Sequence, residues 1–138
     1  MRIEIEAFFE NQEIVSVDLP MGTTEIGSWA YSRCHKLQHV TLPVSVTNLG
    51  DGAFSCCPNL RTVVAPGVTS LGEGVFAFDE NLERVEMPRV QRLPPATFRY
   101  CGNAHDVGVR AEVLEQLELA QQALGVLCVV EHATPPIA

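Results

Sequence analysis

Cys34, Cys57, Asp79 and Cys101 follow one another at steps of 23, 22 and 22 residues. Thiol and carboxylate side chains in series could bind a borderline metal ion or run thiol–disulfide chemistry. Zinc, however, needs four converging ligands, and even spacing of this kind supplies a line rather than a tetrahedron. The series is therefore read as small buried thiols packing a repeated turn, with Asp79 capping local backbone N–H groups. Five cysteines, an odd number with no CxxC pair, suit reduced thiols in an intracellular protein better than a disulfide framework.

A second constellation, Ser16, His39 and Asp18, superficially suggests a hydrolase triad if the three side chains share one surface. Outward side chains on a flat face give neither an oxyanion hole nor exclusion of water. His35, His39, His105 and His132 are scattered, and the chain carries no phosphate loop, dinucleotide fingerprint or HExxH. No catalytic, cofactor-binding or metal-binding residue is assigned, and the chain is read as non-enzymatic.

What positions these residues is a repeat. Val17, Val40, Val63 and Val85 recur at steps of 23, 23 and 22, each followed two residues on by Leu19, Leu42, Ala65 and Met87, then by Pro20, Pro43, Pro66 and Pro88. Three residues before each valine stand Ile14, Leu37, Leu60 and Leu82. This apolar-x-x-apolar-x-apolar spacing puts the last two side chains on one face of a short strand, which proline ends for want of an N–H. Ile26, Leu49, Leu71 and Leu93 form a further column, followed by Gly27, Gly50 and Gly72 but Pro94, and then by Tyr31, Phe54, Phe76 and Phe98. A tight turn leading into one or two helical turns is expected there, with the aromatic ring as the main plug of each coil.

At the N-terminus, Ile3, Ala7 and Phe8 match the columns of Ile26, Ala30 and Tyr31, which favours the back half of a repeat. The rival reading is a free strand, since Ile3, Ile5 and Ala7 alternate with Glu4 and Glu6. The chain thus opens in mid-repeat, and Met1 need not be the natural start. Downstream, Ala104, Val107 and Val109 continue the strand columns, with Arg110 in place of the proline. An amphipathic stripe of Val109, Val113, Leu117, Ala120 and Leu124 then predicts a helix from about Ala111, stopped at Gly125. Leu124, Leu127 and Val129 restate the strand spacing. The expected organisation is a half-repeat or cap over 1–13, repeats over 14–110, a capping helix and strand over 111–131, and a flexible tail over 132–138.

The assembled pattern I-G-x-x-A-F-x-x-C-x-x-L-x-x-V-x-L-P, best seen in GDGAFSCCPNL and HVTLP, resembles the BspA-like leucine-rich repeat family over Ile3 to Val109. Asp79 replaces the cysteine, Pro94 the glycine, and Ala65 and Ala104 weaken two apolar columns. The resemblance implies an α/β repeat solenoid, a right-handed coil with about five to six short parallel strands, short helical turns opposite and a C-terminal capping helix. It also implies recognition rather than chemistry. Physics agrees, because one coil cannot bury its own apolar columns and must stack on neighbours.

The expected function is a protein-binding module of leucine-rich-repeat type; the alternative is a structural subunit, a spacer or clamp within a larger assembly. Outward strand positions offer a surface that includes Gln38, His39, Thr41, Arg61, Val64, Arg84 and Glu86, against the blander reading of a solvated sheet. Trp29 stands where other copies have Gly52, Gly74 and Ala96, so it either projects as an interface anchor or folds back toward Glu6. Phe78 and Tyr100 share a column with Arg33 and Cys56, and burial under the C-terminal helix is favoured over an open patch. No cofactor is expected. A net charge of −8 argues against nucleic acid, and no apolar run approaches the ~18 residues of a membrane span, so no direct membrane insertion is expected. The glutamate-bearing N-terminus is not a signal peptide, and an intracellular location is expected.

Overall fold

The computed structural model describes residues 1–101, 103–104, 106–124 and 129–130. In chain order its elements are β1 (Arg2–Ile3), β2 (Ser16–Asp18), β3 (Glu25–Ile26), β4 (His39–Thr41), β5 (Asn48–Leu49), β6 (Thr62–Val64), β7 (Ser70–Leu71), β8 (Arg84–Glu86), β9 (Asn103–Ala104), β10 (Asp106–Gly108), α1 (Ala111–Leu124) and β11 (Val129–Val130). They wind into a parallel solenoid. The strands β10-β8-β6-β4-β2 make one five-stranded sheet and β1-β3-β5-β7 a second of four, while β11 pairs with β9.

Register follows the repeat. Val17, Val40, Val63, Val85 and Val107 lie directly beside one another in the larger sheet, and all five are buried. Behind them runs a stack of rings, Phe8, Tyr31, Phe54, Phe76 and Phe98, with centroids 5.0, 5.4, 6.2 and 5.8 Å apart and nearly parallel planes. From Tyr31 to Phe98 one buried ring per coil fills the interior, while Phe8 at the end of the stack remains partly exposed, and each coil finishes the burial of the last.

The third side of the coil, expected as short helical turns, takes the form of a turn ribbon that is itself a ladder. The N–H groups of Trp29, Tyr31 and Arg33 donate to the carbonyls of Asp51, Ala53 and Ser55 in the next coil at 2.8, 2.9 and 3.0 Å, while Ala30 and Ser32 donate within their own coil to Gly27 and Trp29. Left-handed residues four apart, Trp29 (φ 55°) and Arg33 (φ 60°) here and Gly74 (φ 61°) and Phe78 (φ 65°) two coils on, interrupt any helix before it completes a second turn. Adjacent coils are thus hydrogen-bonded on all three sides.

Two proline and glycine features have a sharper cause than turn propensity. A Cβ on Gly27 would lie 2.6 Å from the Ile5 nitrogen, and one on Gly50 2.5 Å from the Ser28 nitrogen, so glycine here admits the backbone of the preceding coil. The N–H of Gly27, Gly50 and Gly72 donates to Ile3, Ile26 and Leu49 at 2.8 Å each. Pro94 holds the same place without an N–H and cannot bond Leu71, which is where the smaller sheet ends.

Helix α1 closes the described end of the core. Arg110 accepts at its carbonyl from the N–H groups of Val113 and Leu114 at 3.1 and 3.2 Å, and Val113, Leu114 and Leu117 are buried in the same cluster as the strand valines. Leu114 joins the expected stripe because the helix seats on a broad core surface rather than a narrow seam. The expected stop at Gly125, Leu127 and the tail 132–138 lie outside the described residues.

Candidate protein-interaction face

Parallel pairing lines up the outward side chains of the larger sheet. His39 stands between Ser16 and Thr62, and Thr62 beside Arg84; Thr41, Val64 and Glu86 form the next row. Gln38 and Arg61 stack at the strand entrances, where the N–H of Arg61 donates to the Gln38 carbonyl at 2.9 Å. Gln38, His39, Thr41, Arg61 and Arg84 are exposed, and Val64 and Glu86 half-buried. His39 Nδ1 hydrogen-bonds Thr62 Oγ1 at 2.7 Å, and Arg84 is ion-paired with Glu86. The imidazole therefore engages the coil on the side away from Ser16 and Asp18.

Trp29 is not part of this face. It sits on the turn side, 43% exposed, with its N–H bonded to the Asp51 carbonyl. Its indole lies over the next coil rather than back toward Glu6: a Cβ on Gly52 would come within 2.5 Å of Trp29 Nε1. Gly52 therefore has two reasons to lack a side chain, its φ of 58° and the indole above it.

Phe78 and Tyr100 correct an expectation. They stack with centroids 4.9 Å apart but remain 48% and 54% exposed. Both are left-handed, as are Glu10, Arg33 and Cys56 in the same column, and a left-handed turn residue throws its side chain outward. The polar occupants Glu10 and Arg33 carried that signal in the sequence. Two cation–π contacts flank the ridge, Arg33 over Phe9 at 5.8 Å and Arg99 over Tyr100 at 5.0 Å; neither was read from the sequence.

The thiol column lies inside the ridge. Cys34, Cys57 and Cys101 donate their S–H to the carbonyls of Phe8, Tyr31 and Phe76 at 3.3, 3.2 and 2.9 Å. Burial raises the thiol pKa values of Cys34 and Cys57, and that of the Tyr31 phenol to about 12. Asp79 occupies the same column fully buried. Its Oδ1 accepts from the Cys57 N–H at 2.8 Å, while Oδ2 has no partner among the described residues. Desolvation holds this carboxyl well above the usual carboxylate range. Among the described residues no three His, Cys, Asp or Glu side chains gather as a metal-ligand set.

Residues 1–115 match the BspA type leucine rich repeat region in six copies. The chain belongs to that family. Two solved structures share the fold. A T. pallidum leucine rich repeat protein superposes with a TM-score of 0.64 at 22% identity, covering 97% of this chain and 80% of that one. A leucine rich cell surface protein from Faecalibacterium prausnitzii A2-165 gives 0.54 at 23% identity, over 78% of this chain and 36% of that one. This leucine-rich repeat chain thus spans about a third of the second protein's length. A search of curated proteins finds no match.

Proposed function

We propose that the chain is a non-enzymatic protein-binding module whose contacts are Gln38, His39, Thr41, Arg61, Val64, Arg84 and Glu86 on the larger sheet, with Trp29 as an anchor on the turn side. The observation that carries this is the register of the sheet face: successive coils ~4.8 Å apart present aligned rows of exposed or half-buried, mostly polar side chains on a backbone bonded along three sides. A partner reading those rows gains from side chains already held in place. The free thiols of Cys34, Cys56, Cys57 and Cys101 suit a reducing, intracellular compartment. No helix among the described residues is long and apolar enough to cross a membrane.

The second reading, a structural subunit of a larger assembly, is favoured by the exposed Phe78–Tyr100 stack, an aromatic surface outside the sheet face. Capture of partners by the purified chain, repeated with Trp29→Ala and Arg61→Glu, separates the two. A binding module loses its partner in at least one variant. Capture unchanged in both, with a fixed stoichiometric complex that Phe78→Asn disrupts, supports the subunit reading instead.

A further inference from the structure

The charge of −8 is unevenly placed. Residues 84–110 hold five of the nine cations, Arg84, Arg89, Arg92, Arg99 and Arg110, against Glu86 and Asp106, a net of +3. Residues 1–83 hold four cations against eleven carboxylates, and 111–138 hold four carboxylates and no cation. Winding spreads Arg84, Arg89, Arg92 and Arg99 around one coil and puts Arg110 on the next, just past β10. Arg84 is on β8. The Gln91 N–H donates to the Thr69 carbonyl at 3.2 Å, which sets Arg92 beside Ser70 of β7. On the turn side the Arg99 carbonyl accepts from Phe78 at 2.7 Å.

Three of these cations are engaged: Arg84 with Glu86, Arg99 over Tyr100, and Arg110 weakly with Glu112 at 3.9 Å. Arg89 and Arg92 are exposed and form no ion pair among the described residues. Beside Arg89 opens a cleft of about 330 Å³ lined by Thr69, Pro88, Arg89, Gln91 and Arg110. Arg110 lines it with a side chain 40% exposed, although its Nε is itself buried without a hydrogen-bond partner among the described residues. The exposed Arg89 and the partly exposed Arg110 hold no close carboxylate at this cleft among the described residues, and a guanidinium fork matches a carboxylate.

We propose that this cleft takes a carboxylate side chain from a short acidic segment of a partner protein, with Arg89 and Arg110 as its cations and Arg92 adding long-range attraction. The proposal rests on the reading of the chain as a protein-binding module and names that partner's chemistry. A short segment is indicated because a long polyanion such as nucleic acid would run from the basic coil onto acidic flanks on both sides.

The test is a fluorescence-anisotropy titration of the full chain with a labelled eight-residue Glu/Ser peptide, its Gln/Ser counterpart, and inorganic phosphate as competitor. Saturable binding of the glutamate peptide alone is expected, weakened at least tenfold by Arg89→Gln and by high salt, and unchanged by Lys36→Gln, an exposed cation outside the cleft and the sheet face. Equal binding of the two peptides, or full binding by Arg89→Gln, overturns the proposal. So does displacement by phosphate at equimolar concentration, which would mark a general anion site. Partner capture that depends on Trp29 or Arg61 while the glutamate peptide fails to bind would sink the cleft alone and leave the module reading standing.

Discussion

The backbone N–H of Cys57 donates to Asp79 Oδ1 across 2.8 Å, joining two coils through a carboxyl group buried where neighbouring coils carry a thiol. The other oxygen, Oδ2, has no partner among the described residues. At this position Cys34, Cys57 and Cys101 each donate to a carbonyl of an earlier coil. A proton on Oδ2 would make Asp79 a donor as well. The acid form suits the site and the carboxylate does not.

Stability should therefore fall as pH rises. Desolvation places the folded-state pKa of Asp79 above its unfolded value of roughly 3.9. Between the two values the folded chain binds more protons, so this group's contribution is fully present below about pH 4 and is lost as pH climbs through the folded pKa. Asp79→Asn keeps an acceptor for Cys57 and supplies a permanent donor. It should match the wild type near pH 4 and exceed it at pH 8, by on the order of 1–3 kcal/mol for relief of a buried unsatisfied group. Urea unfolding of both proteins across that range is the measurement. A constant difference between the two curves would rule out Asp79 as the titrating group.

Phe54 and Phe78 should behave oppositely although both are aromatic members of the repeat. Phe54 is fully buried between Tyr31 and Phe76, so Phe54→Ala should cost about 3–5 kcal/mol from transfer and cavity together. Phe78 is half exposed at φ 65°. Phe78→Asn, which tolerates the left-handed backbone, should change stability by no more than about 0.5 kcal/mol. Thermal unfolding distinguishes them. Equal losses would mean that the Phe78–Tyr100 stack is covered.

That pair also shows how far the sequence could be read. Buried columns were legible because each recurs coil after coil: Val17, Val40, Val63 and Val85 differ in number but not in neighbours. Outward positions repeat in backbone only, and their side chains obey no shared constraint, so Phe78 looked like core by type while Glu10 and Arg33 at the same place pointed to solvent. Pro94 was visible as a departure, but its effect on the smaller sheet depends on a hydrogen bond to Leu71 that only the register reveals. The seat of Trp29 was hidden for the same reason, since Gly52 lies 23 residues away in the chain.

Cysteine reactivity should split by column. Cys34, Cys57 and Cys101 are buried, whereas Cys56 is only partly covered, and burial raises the Cys34 and Cys57 thiols. Because the thiolate is the reactive form, alkylation of the native chain at pH 8 should label Cys56 well ahead of these three. Peptide mapping by mass spectrometry after brief iodoacetamide treatment reads each site separately. Early labelling of Cys57 would contradict the packing of its coil against the two neighbouring ones.

Gly52 and Trp29 should be energetically coupled. Gly52→Ala meets two costs in the wild type, a left-handed backbone of roughly 1–2 kcal/mol and a Cβ driven into the indole. In a Trp29→Ala background only the first remains, because the space above residue 52 is vacated. The double-mutant cycle should therefore show a smaller loss for Gly52→Ala when Trp29 is absent, with an interaction term of about 0.5–3 kcal/mol. Tryptophan fluorescence gives an independent readout, since Trp29 is the single tryptophan of the chain: Gly52→Ala should lift the indole into water and shift its emission to the red. Additive losses with an unchanged spectrum would place the ring elsewhere, with no need of glycine beneath it.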